Sequence, residues 1–398
     1  MKIHHLPLFL ALFALAAACD DGAKKTENNV NNINNTNNIN NINNINNVNN
    51  LNNVTCDPAA EVPTGARLVL HTGNTDNGSL SILDVSDATP VLTGDVAVVH
   101  SDATVRAGLD RIYVIGRLGG DSLLALDDET FAVQWQLPLP AASNPQDLAF
   151  VSTCKAYVSL YQKNFIQIVD PVAGTADATA MISLAAFADA DGLPEASFML
   201  ALGDRVYVAI QNLENFAAAR NGRIVPIDPA TDTVGEAIEL TTPNPFSPLV
   251  RVDDTHLAVG CVGDFMGAQG GIELVDTAAG TSALAIASTD MEGVVTDLVM
   301  EDASCGYALV NTPEWTSGIR RFCLANDGAG TVGDWVVAPG RHTIVGLALA
   351  ADGILYFADA TADAPGVRFV DLIAQSTASD RIPTGLPPGF AKPFAWLP

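Results

Sequence analysis

Positive charge is scarce in this chain of 398 residues: 19 Lys and Arg stand against 45 Asp and Glu, a net charge of −26. So acidic a surface repels phosphate backbones and anionic lipid heads, which excludes nucleic acid as a partner. It serves solubility, or the attraction of cations and basic partners. Catalytic signatures are absent as well, with no GxSxG elbow, HExxH, CxxC or P-loop. Gly328-Ala-Gly-Thr-Val-Gly333 fits the dinucleotide fingerprint GxGxxG, but no helix follows it, so it reads as a turn. Histidine is sparse: beyond the first 18 residues there are only His71, His100, His256 and His342. Amphipathic helical windows are few, which excludes a helical solenoid.

The apolar run Leu6 to Ala18, behind Lys2, is too short to span a bilayer and has the length of a signal-peptide core. It ends Leu15-Ala16-Ala17-Ala18-Cys19, which resembles the bacterial lipobox. That resemblance implies cleavage before Cys19 and lipidation of its sulfur, and more than one acyl chain anchors stably. The expected address is the bacterial cell envelope, on its periplasmic face or at the cell surface, with membrane contact through the lipid alone. From Asn28 to Thr55 runs a low-complexity tract of Asn pairs punctuated every third residue by Val, Ile, Thr or Leu. It has too little apolar surface to offset the entropy of ordering and reads as a flexible tether, although Asn-rich repeats can also stack as a ladder. Residues 1–18 are therefore expected to be a signal peptide, 19–55 the lipidated end and tether, and 56–398 a globular domain.

Within that domain one phrase returns seven times: a short apolar strand, a turn, and a second strand that usually ends in Asp. The first strands include Ile112-Tyr113-Val114, Ala156-Tyr157-Val158 and Val206-Tyr207-Val208; their partners include Leu123-Leu-Ala-Leu-Asp127, Ile166-Gln-Ile-Val-Asp170 and Ile272-Glu-Leu-Val-Asp276. The spacing of 44 to 51 residues suits a four-stranded blade, so the fold expected is an all-β, seven-bladed propeller. Inner strands precede six of the phrases, such as Asp147-Leu-Ala-Phe150 and Asp297-Leu-Val-Met300. The first phrase lacks one, and Pro393-Phe-Ala-Trp396 is left over at the far end. It is expected to insert beside Leu68-Val69-Leu70 and close the ring, removing two strand edges.

Besides Cys19 there are five cysteines, an odd number. Cys305 opens a first strand and Cys323 closes its partner, so a hairpin sets them opposite one another and predicts a disulfide. Cys56 can reach either Cys154 or Cys261.

Asn144-Pro145 through Tyr157-Val158 to Ile168-Val169-Asp170 resembles the YVTN-type propeller repeat, and the resemblance covers about residues 66 to 398. It implies the propeller and no particular activity, since such propellers serve as lactonase-like enzymes, surface-layer proteins and binding modules. A ligand site is expected on the face built from the interblade loops and the loops joining the two middle strands. There the candidate rim residues are His100, Asp102, Asp147, Glu195, Asp290, Glu292, Trp315, Arg341 and His342, with Arg117, Tyr161 and Phe265 on neighbouring loops. Asp189, Asp191 and Glu195 gather three carboxylates around a Gly turn, a pattern that suits Ca²⁺, and no other cofactor is expected. The leading expectation is a lipid-anchored binding or scaffold protein for an envelope protein, glycan or small molecule. The alternatives are a lactonase-like hydrolase using Glu292, Arg341 and His342, and a surface-layer component.

Overall fold

The computed structural model describes residues 56–58 and 65–397, apart from 215, 216, 219, 266–268, 326 and 342. The expected signal peptide, Cys19, the tether and His342 lie outside the described residues. From residue 65 onward the described residues form seven antiparallel sheets that are the blades, five of them built from four consecutive strands; blade 4 is interrupted by a small hairpin pairing Leu213–Glu214 with Ala217–Ala218, and its outer edge is split into Thr233–Val234 and Ile238–Glu239. In blade 2 the four strands are Ala103–Gly108, Arg111–Gly116, Ser122–Asp127 and Val133–Pro138, from the channel outward. Blade 1 is composite. Arg67–Gly73, Gly78–Asp84 and Val91–Val99 form its outer three strands, and Phe394–Leu397 supplies the inner one. The register pairs Leu68 with Trp396, Val69 with Ala395 and Leu70 with Phe394, as the leftover strand predicts.

No single core fills the ring. Seven separate apolar clusters lie between successive blades, each drawing on both neighbours. That is why the middle strands are apolar on both faces. The strand tyrosines add polar ties across these seams. Tyr113 in blade 2 donates to the Pro171 carbonyl of blade 3 at 3.0 Å, and Tyr157 in blade 3 donates to Asp232 of blade 4.

The structure also explains the Asp that ends each phrase. Asp127, Asp170 and Asp276 each turn Oδ1 onto two backbone amides of the hairpin to the outer strand, at 2.8 to 3.2 Å; Asp84, Asp228 and Asp371 each accept one such amide on Oδ1 at 2.8 to 2.9 Å. Such side-chain caps stand in for the turn's own hydrogen bonds. Blade 6 has Cys323 there instead, disulfide-bonded to its cross-strand partner Cys305, with Cα atoms 3.9 Å apart. Cys56 and Cys154 are disulfide-bonded as well, and Cys261 is a free, buried thiol. Replacing Cys305 and Cys323 by Ser should cost about 3 kcal/mol by the chain-entropy estimate for so short a loop. Urea denaturation checks this; an unmoved midpoint would mean that the hairpin is held by its ladder alone.

Candidate functional site

Antiparallel strands fix which loops share a face. The start of each inner strand pairs with the end of the second strand, which pairs with the start of the third; in blade 2 the pairs are Ala103 with Gly116 and Gly116 with Ser122. Interblade loops and the loops between middle strands therefore gather at one end of the channel, here called the entry face.

Four charged groups meet inside the channel near that face. Asp147 is fully buried: Oδ1 accepts the Leu148 amide at 2.8 Å and pairs with Arg106 Nη2 at 2.5 Å, while Oδ2 accepts the Met199 amide of blade 4 at 2.8 Å. Asp297 repeats the arrangement, with Oδ1 on the Leu298 amide at 2.9 Å and Oδ2 on the Leu347 amide of blade 7 at 2.8 Å. Both follow a register shift in their inner strand, which turns the carboxyl toward the next blade. Burial lifts the Asp297 pKa to about 6 against the pull of the Leu347 amide and Lys392. Burial, reinforced by Arg106, lowers that of Lys392 to about 8. The two carboxylates of the channel are thus bound to backbone of the neighbouring blade, a structural use of groups whose position alone would suggest catalysis.

At the mouth, toward blades 1 to 4, the groups are differently placed. His71 is buried, its Nε2 lies 3.0 Å from the His100 carbonyl, and burial holds its pKa near 4, so the ring is neutral. His100 turns Nδ1 to the Asp102 carbonyl at 2.8 Å, and the Asp102 carboxylate faces Arg117 at 3.5 Å. Arg117 Nε is buried with no partner among the described residues. Tyr161 donates to Gln211 Oε1 at 2.8 Å; its own burial, and then Glu195, push its ionisation above the ordinary range, opposed by Arg117.

Asp189, Asp191 and Glu195 do converge. One carboxylate oxygen from each lies within 4.8 Å of the others. Glu195, in the left-handed region at φ 49°, receives the Leu213 amide on Oε2 at 3.0 Å. Burial first, then Asp189 and Asp191, raise its pKa to about 8, so without a counter-cation it is protonated at neutral pH. Burial raises Asp189 too, and its Oδ2 is buried without a donor. The three oxygens are hard donors that fit a Ca²⁺-sized ion, whose charge would ionise Glu195.

The other rim residues stand apart from this cluster. Glu292 is engaged by Arg320 Nη1 at 3.0 Å, which also reaches the Asp290 carbonyl at 3.2 Å, and Arg341 is exposed. Trp315 is 48% exposed at a turn of blade 6, whereas Phe265 packs edge-on against Phe246 with ring centroids 5.4 Å apart. Arg106 and Gln211 escaped the sequence reading because each acts across two blades. The shared Asp-Leu opening of two inner strands was the available signal for the Asp147 and Asp297 pattern.

No family model matches this chain, and no curated protein does. Among solved structures it is similar to a putative 6-phosphogluconolactonase from Bacteroides uniformis, at 14% identity over 81% of this chain and 97% of that one, TM-score 0.60. A second putative 6-phosphogluconolactonase, from Bacteroides fragilis, matches at 11% identity over 81% and 96%, TM-score 0.54. A functionally unknown protein from Desulfotomaculum acetoxidans matches at 11% identity over 82% and 99%, TM-score 0.56. Identities this low carry the propeller fold and nothing finer.

Proposed function

We propose that this chain is a lipid-anchored envelope protein that presents the entry face of its propeller for binding, with a hard-cation site at Asp189, Asp191 and Glu195. The observation that carries the reading is the mouth itself: three carboxylates converge there and Asp189 Oδ2 is buried without a donor among the described residues, whereas both oxygens of each channel carboxylate accept backbone amides. The lipobox-like run ending at Cys19 supports the anchor, and the disulfides are compatible with an extracytoplasmic address.

The test is a melting series with calcium and with EDTA across pH. Glu195 has a folded pKa near 8, above the ordinary glutamate value of 4.5, so its protonated form stabilises the fold fully below 4.5 and that contribution is lost as pH rises through 8. Without metal the midpoint should therefore fall across this window. Calcium at a hundred times its dissociation constant should restore roughly 2.7 kcal/mol. The rise should be larger at pH 8 than at pH 5.5 and absent in Glu195→Gln. No calcium response at any pH would overturn the site.

The competing reading is a lactonase-type hydrolase, and the shifted pair Asp297 and Lys392 is the observation in its favour. Lactone opening that disappears in Lys392→Met would displace the binding reading. Ordered self-assembly at high concentration would favour the surface-layer alternative.

A further inference from the structure

On the same face, the seam of blades 4 and 5 is open as well, lined by none of the residues of the cation cluster. A cleft of about 350 Å³ opens there between Asn221, Thr241, Thr242, Gln269, Leu284 and Ser288, and no Lys, Arg or His lines it. Its wall is a place only glycine can occupy: at Gly270 (φ 133°) an added Cβ would lie 2.3 Å from the Cys261 carbonyl, and at Gly271 (φ 142°) 2.0 Å from that of Ile286. The Ser288 amide closes onto the Gly270 carbonyl at 3.0 Å.

Beneath the cleft stands Glu273. It pairs across the ladder with Leu284, and Gly271 pairs with Ala287; directly paired residues share a face, so the Glu273 side chain points to the side on which Leu284 and Ala287 line the cleft. Its Oε1 accepts the Thr241 amide at 2.9 Å, Thr241 Oγ1 at 2.6 Å and Thr242 Oγ1 at 2.9 Å, so two cleft residues hold it in place. Oε2 accepts nothing, although Glu273 is 0% exposed. Ser288, 2% exposed and lining the cleft, has an Oγ with no partner either. A buried carboxylate oxygen without a donor is costly, and nature tolerates one chiefly where something else completes it. What is missing is a hydrogen-bond donor, and a cationic one would match a carboxylate best, while the surrounding hydroxyl and amide side chains suit a polar body.

We propose that this cleft binds a small primary amine, its ammonium seated on Glu273 Oε2 and Ser288 Oγ. The inference is independent of the cation site at the mouth. One carboxylate is too few for a divalent ion, whereas an ammonium offers three donors to scattered acceptors.

Calorimetry with glucosamine, ethanolamine and putrescine, and with glucose as the uncharged control, tests it on the folded domain in the presence of EDTA. At least one amine should bind and glucose should not; which amine is tightest separates amino sugar from aminoalcohol or diamine. Glu273→Gln keeps an acceptor for the Thr241 amide but removes the charge, and should weaken the amine by about 30-fold, the scale of a charge-assisted hydrogen bond. Ser288→Ala should weaken it several-fold. Should Glu273→Gln fail to fold, Leu284→Trp, which fills the cleft from a partly exposed position, should abolish binding while the melting midpoint stays put. No amine binding, equal binding by glucose, or an affinity unchanged in Glu273→Gln or in Leu284→Trp would each overturn the proposal.

Discussion

A chain ending before residue 393 should not hold the ring closed. The closing strand serves two seams at once, because Phe394 belongs to the cluster between blades 7 and 1 and Leu397 to that between blades 1 and 2. Both are almost wholly buried, and full burial of such side chains is worth about 1.5–3 kcal/mol each. The Pro393 carbonyl accepts the His71 amide at 2.8 Å, and four residue pairs tie the strand to Arg67–Gly73. Losing them exposes a long apolar edge in blade 1 and the flank of blade 7, an invitation to association. The expected result is aggregation, or a loss of cooperative melting followed by near-UV circular dichroism. Phe394→Ala, a milder change, should cost about 3–5 kcal/mol. A truncated chain that melts like the parent would mean that blade 1 is complete with three strands.

The second large effect belongs to the channel. Asp147→Ala removes the acceptor of two amides and leaves Arg106, only 14% exposed, facing no charge at that position. Breaking one side of such a buried pair costs about 3–5 kcal/mol. Asp147→Asn keeps one acceptor oxygen and should cost less. Asp297→Asn should be milder still, because burial has already raised that carboxyl to about 6 and the amide imitates its protonated form. The sign is open to measurement: with a folded pKa above 3.8, Asp297 contributes stability fully below that value and loses it as pH rises through 6, so the Asn variant should flatten the pH dependence in this window. Urea midpoints between pH 4 and 7 decide it. If Asp147→Ala and Asp297→Asn behaved alike and cost little, the channel charges would not be the ties between blades that their geometry indicates.

The repeat was readable from the sequence because each of its parts is local. An apolar strand of Tyr113 or Tyr157 type, a turn and a capping Asp fall within about twenty residues, and the unpaired Pro393-Phe-Ala-Trp396 could be assigned by what the first blade lacked. The Cys305–Cys323 bridge was legible for the same reason, since both lie in one hairpin. The site was less so. Arg106 and Asp147, or Glu273 and Thr241, meet across blades and leave no pattern in the chain between them. Glu273 looked like any polar residue of the strand Ile272-Glu-Leu-Val-Asp276; nothing nearby in sequence shows that one of its oxygens is left without a donor. Glu292 shows the converse, because its place on a rim loop was readable but its capture by Arg320 from a strand of blade 6 was not.

The composite first blade also sets a timetable. Leu70 and Phe394 are neighbours in space but more than three hundred residues apart in the chain, so the contact that completes the blade is also among the last to become available. At ribosomal rates of about 5–20 residues per second, three strands of blade 1 wait for the fourth on the order of half a minute. Throughout that interval the nascent chain carries an open β edge, and contacts of such long range are intrinsically slow to form. The ring's closure is thus a late event in the life of the molecule, and the period before it is when a holding chaperone would have most to do.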